Sequence, residues 1–143
     1  TFNTKEDYRI MCIEPSMDSY RMLMFHSTYI MLDQYLLMWR IWKCILPLQR
    51  IMQRAGFYLA PVFIHCLAAD ETHDNLFISG CSAYRLWDYL QGVFVCHLNM
   101  EGFGQLMDSI YRANCSSQVK PLHISAASAV VSFIWKARNA LVF

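Results

Sequence analysis

The chain has 143 residues, a net charge of +1, 56% hydrophobic residues and only 16% charged ones. That length is one domain's worth of chain, and the near-neutral charge excludes a strong global attraction to nucleic acid, so any such contact must come from a local patch. The low charged fraction, against about 25% for an average soluble domain, leaves more apolar surface than a free-standing small domain usually carries.

With only 5 Gly and 4 Pro the chain has few breakers, which favours helices. Residues 1–24 form an N-terminal segment with no pattern to argue from, and residues 25–143 read as one helical domain. "MLDQYLLMWRIWKCIL" (31–46) spaces Leu32, Tyr35, Leu36, Trp39, Trp42 and Leu46 as a helix that Pro47 ends. "LQRIMQRAGF" is a short helix closed by Gly56, a residue suited to the left-handed position after a helix end. Ala83, Leu86, Trp87, Leu90 and Phe94 form the next stripe, with Ser82 as the expected N-cap. Phe103, Leu106, Met107, Ile110 and Tyr111 form another. The last helix opens near Pro121 and carries Ile124, Ala127, Val131 and Trp135 on one face. No stretch alternates with period two, so the expected fold is all-α, five or six helices.

Membrane insertion is not expected. Asp33 interrupts "YIMLDQYLLMW", and "ISAASAVVSFIW" meets Lys136 short of the roughly 18–20 apolar residues that a spanning helix needs. No basic segment precedes an apolar run at the start, so the expectation is an intracellular protein, nuclear or cytoplasmic and not secreted. The 6 cysteines show no framework rhythm and read as reduced thiols, mostly small core residues. No Gly-rich phosphate loop, no G-x-S-x-G and no carboxylate pair in an apolar frame is present, and "IHCL" and "VCHL" pair Cys with His only by sequence. No catalytic residue is assigned and no enzymatic activity is expected.

One stretch is rich in metal-ligand types: "HCLAADETHDNLFISGC", residues 65–81, lying between helices. A metal there would fix the angle between two helical halves. The order of "LPLQRIMQRAG", a Cys, "ETHDNLF", a Cys, "AYRLW" and finally "FIWKARNALVF" resembles the reverse transcriptase zinc-binding domain, the region C-terminal to the polymerase of plant LINE-type retrotransposons. The family pattern reads C-x2-C, then E-T-x-x-H-L-F, then a closing Cys, an aliphatic–Trp helix and an I-W-K-x-R-N block. The resemblance covers residues 25–143 and implies a helical module built around a zinc-stapled loop, here 63–81. It implies zinc on Cys66 and Cys81. Phe63 stands at the first cysteine position and Asn75 at the histidine position, and Gly80 displaces Cys81 by one residue.

Two of the four ligands therefore survive, and His73 and His65 are the substitutes at hand. Structural zinc needs four thiolate or imidazole donors. His65 points away from Cys66 in an extended chain, and His73 falls on the far side of a helix from position 75. The expectation is a lost or weakened zinc site. Glu71, Asp70 and Asp74 read as a charge cluster at a helix N-terminus.

The resemblance also implies an ancestral role as an accessory that binds RNA or single-stranded DNA for the polymerase, beside the rest of a retroelement polyprotein. Basic candidates are Arg50, Arg54, Arg85, Arg112, Lys120, Lys136 and Arg138. Trp135, Lys136 and Arg138 suggest stacking plus phosphate contact. The competing assignment puts Trp135 in the core and Arg138 at a helix end. The competing function is a metal-free helical interaction module or a relic without function.

Overall fold

The computed structural model describes residues 31–43, 45–56 and 71–142. Its elements, in chain order, are α1 (Leu32–Trp42), α2 (Gln49–Arg54), a π-helical turn (Asn75–Ser79), α3 (Cys81–Phe94), α4 (Phe103–Tyr111) and α5 (Lys120–Val142). Among the described residues there is no strand, and the fold is all-α. Residues 1–30, Cys44, 57–70 and Phe143 lie outside the described residues, and with them the N-terminal segment and residues 63–70 of the expected zinc loop.

α5 is the axis of the fold. It packs against α1, α3, α4 and the π-turn. Its inward face carries Ile124, Ala127 and Val131 at no exposure, as their helical spacing predicts, with Ile134 nearly so and the expected Trp135 half-buried beside it. Against it come Leu76, Phe77 and Ile78 of the π-turn, Trp87 of α3, and Leu106 and Ile110 of α4, all fully or almost fully buried. Each such aliphatic or aromatic side chain contributes about 1.5–3 kcal/mol on leaving water. Ser128 and Ser132 are also buried on α5, and the Ser128 hydroxyl donates to the Ile124 carbonyl at 2.9 Å, which removes the cost of an unmet polar group.

α3 and α4 bury the stripes their spacing predicts: Ala83, Trp87 and Leu90 on the one, Phe103, Leu106, Met107 and Ile110 on the other. α1 does not. Its buried face is Leu37, Met38 and Ile41, while Leu32 and Leu36 are exposed. Apolar residues occupy nearly every position from 35 to 42, so their spacing marks no single face. α1 also stops at Trp42 rather than running to Leu46. Pro47 bars Leu46 from the helical region and its ring clashes with the carbonyl four residues back, so the break reaches into the preceding turn. Leu46 and Leu48 enter the core from the link instead.

Helix ends follow local chemistry. Gly56 takes a φ of +94° after α2, as expected. The N-cap of α3 is Gly80 and not Ser82, which sits inside the first turn. Val95 ends α3 at a φ of 52°, an uncommon conformation for a β-branched residue, and the Leu98 amide then donates to the Gln91 side chain at 2.8 Å.

Candidate functional site: the junction of three sequence blocks

"ETHDNLF", "AYRLW" and "FIWKARN" meet in the interior, and the meeting begins with a turn. The Asn75 amide donates to Thr72 Oγ1 at 3.1 Å, and the Gly80 amide donates to the Asn75 carbonyl at 2.8 Å, the five-residue step of a π-helix. The Ser79 hydroxyl donates to Asn75 Oδ1 at 3.0 Å. The wider turn leaves the Phe77 carbonyl free, and the indole N–H of Trp87 donates to it at 2.6 Å in the core. Phe77 also packs on Trp135 of α5, ring centroids 6.4 Å apart. Phe77 of the first block thus meets one residue from each of the other two, Trp87 through its carbonyl and Trp135 through its ring.

The second link is ionic. Arg138 has no exposed surface, and its Nε and Nη2 donate to the two carboxylate oxygens of Glu71 at 3.0 and 2.5 Å. Nη2 also donates to the Pro47 carbonyl at 3.3 Å, and Nη1 to Asn139 Oδ1 at 3.1 Å. The guanidinium lies 5.1 Å from the centre of the Trp135 ring. The planar fork of arginine suits this two-point pairing, and the further acceptors satisfy donors that burial would otherwise orphan. Glu71, Pro47 and Arg138 tie the start of the π-turn, the α1–α2 link and the end of α5 at one point.

This corrects one expectation and bears on another. Glu71 is not part of a solvated charge cluster at a helix N-terminus; it is buried, because the only cation at the end of α5's inward face lies opposite it. Arg138 is buried in the same pair, and Trp135 is half-buried between Phe77 and Arg138, the arrangement of the competing assignment. Asp74 does serve a helix start, but not its own: its Oδ1 accepts from the Phe103 amide at 3.3 Å, at the first residue of α4. Lys136 is exposed and stands 3.8 Å from Asp33. Arg112 pairs with Asp108 at 2.9 Å, and the Lys120 ammonium lies over the Tyr111 ring.

The expected metal ligands are not brought together among the described residues. Cys81 is exposed at the first position of α3. His73 is buried, and burial lowers its imidazole to about 4 while the negative charge of Glu71 works against the shift. Neither His73 ring nitrogen has a hydrogen-bond partner among the described residues. His65, Cys66 and Phe63 lie outside them. Asn75, at the family's histidine position, uses its side-chain oxygen within the turn. No group of three or more His, Cys, Asp or Glu gathers among the described residues, so the donor set there falls short of zinc's four. Among these residues, too, no helix is long and apolar enough to cross a membrane.

The pairing of Glu71 with Arg138 was the feature that residue-by-residue reading missed. Its signal was the joint presence of the E-T and R-N blocks, each taken separately above. Comparison with family models, curated proteins and solved structures returns no match for this chain.

Proposed function

We propose that this chain is a retroelement-derived helical module of the reverse transcriptase zinc-binding type that acts as a metal-free interaction module. The observation that supports this reading is the buried Glu71–Arg138 pair. It crosses from the start of the π-turn to the end of α5, the work that a zinc staple between two helical halves would do. The surviving blocks of the resemblance are then fold-holding groups, and the module's remaining asset is its outward apolar surface, suited to docking on the rest of a polyprotein or on another protein. The nucleic-acid role loses its best residue, since Arg138 is buried and held by Glu71, and the exposed basic side chains that remain include Lys136 and Arg112, each beside a carboxylate.

The test is zinc content and far-ultraviolet circular dichroism of the purified full chain, with and without chelator. The expected result is no stoichiometric zinc and an unchanged helical signal. One zinc per chain with chelator-induced loss of helix overturns the metal-free reading, because metal-binding free energy is folding free energy in such loops. A salt-dependent gel shift with single-stranded RNA returns the nucleic-acid role to first place.

A further inference from the structure

α5 has two apolar faces, and among the described residues neighbouring elements fill only one. Between Lys120 and Lys136 the helix carries no Asp, Glu, Lys or Arg. A helix with apolar residues on opposite faces, its serines lying between them, suits neighbours on both. Opposite the core, Leu122, Ala126, Ala129, Phe133, Ala137 and Ala140 run as one stripe, about five turns of a straight helix. Phe133 is 63% exposed and Leu122 51%; Ala129 and Ala140 are exposed, Ala126 and Ala137 half-buried. Beside Phe133 and Ala137 the face is concave, with a cleft of about 260 Å³ reaching Ala83 and Leu86 of α3.

The order of large and small residues names the occupant. Turned end for end about its midpoint near position 131, the stripe sets Leu122 against Ala140, Ala126 against Ala137 and Ala129 against Phe133. Every large side chain then meets an alanine, the alternation that lets two helices approach closely and fill the space between them. A parallel copy would set Phe133 on Phe133 and Ala129 on Ala129, crowding one level and leaving the other empty. We propose that α5 is the interface of a two-fold antiparallel homodimer of this chain, formed by this stripe. The interface is isologous, as most protein dimers are. Charge does not oppose it: the two Lys136 residues would lie about 15 Å apart along the axis, beyond a screening length of about 8–10 Å, and the chain's net charge is only +1.

The proposal rests on the interaction-module reading and supplies its partner. The experiment is sedimentation velocity on the full chain across a concentration series, with Ala129→Glu, Phe133→Lys and their mixture. The wild type is expected to pass from monomer to dimer as concentration rises. Each variant alone is expected to weaken association at least tenfold while its circular dichroism stays that of the wild type, since both positions face out. Mixing the two is expected to restore a heterodimer, because only the antiparallel register sets residue 129 against residue 133. A monomer at every concentration overturns the dimer, as does unchanged association of both variants; a mixture without rescue overturns the register. Failure of the broader reading looks different, since it is loss of helix on chelation. A monomer whose helix is insensitive to chelator leaves that reading standing and removes this one.

Discussion

The two faces of α5 carry residues of one composition to opposite ends. Inward, Val131, Trp135 and Arg138 are committed to Ile124-like packing, to Phe77 and to Glu71. Outward, Phe133 and Lys136, one and two residues away from these, have the core behind them and solvent in front. Residues in the same short motif, "FIWKARN", therefore differ in what a substitution should do, and a cation's position on the helix matters more than its charge. The contrast teaches that a motif of aromatic and basic residues can serve by what it holds together inside.

The largest test of that contrast is the ion pair. Arg138→Met is expected to cost about 3–5 kcal/mol, because it leaves the Glu71 carboxylate buried and uncompensated. Glu71→Met alone is expected to cost a similar amount. The double variant should recover much of the loss, since an apolar pair needs no partner and keeps the volume. Urea unfolding of the four proteins checks this as a double-mutant cycle; additive losses would show that the two residues act separately.

Acid should act on the same junction. His73 is held near 4 by burial, against an unfolded value of 6.5. Well above pH 6.5 the residue is neutral in both states and its titration contributes nothing. As pH falls from 6.5 toward 4, the unfolded chain takes up the proton first and stability declines, by up to about 3 kcal/mol once below 4. His123 pushes the same way: burial first, then Lys120, lower its imidazole, which stacks on Phe94 at 4.0 Å. Unfolding midpoints measured between pH 7 and pH 4.5 are expected to fall, and His73→Leu to flatten most of the slope.

A smaller effect belongs to the π-turn. Trp87→Phe keeps most of the ring and removes the donor to the Phe77 carbonyl, 2.6 Å away in the core. A buried acceptor left unmet costs about 1–3 kcal/mol. Thermal melts should show that loss without a change in helical content at low temperature; an unchanged melting point would mean that water takes over the carbonyl.

These expectations depend on contacts that the sequence revealed unevenly. The stripes of α3 and α4 were legible because polar residues interrupt the apolar ones at helical spacing, so Trp87 and Ile110 could only face one way. α1 was not, because Tyr35 through Trp42 offers an apolar residue on every side and the choice of Leu37, Met38 and Ile41 is made by what α5 presents. The π-turn gave no periodic signal at all, since its geometry comes from Thr72, Asn75 and Ser79 bonding within five residues of one another. At the site, composition around 65–81 pointed to metal, whereas Glu71 found its partner 67 positions away, a separation no local pattern encodes.

The outward face supplies the smallest effect and the sharpest control. Lys136 stands 3.8 Å from Asp33, with side chains 72% and 60% exposed. An exposed pair at that distance gains little Coulomb energy in water and restricts two side chains, so it contributes under about 0.5 kcal/mol. Lys136→Ala is expected to leave urea unfolding within that margin, two positions from a residue whose loss removes several times as much. If Lys136→Ala instead destabilised the chain as Arg138→Met does, stability would follow the charge count of the "WKARN" block, and the buried pair would lose its special standing. If only Arg138 matters, burial decides, and the block is read correctly as the inner anchor of α5.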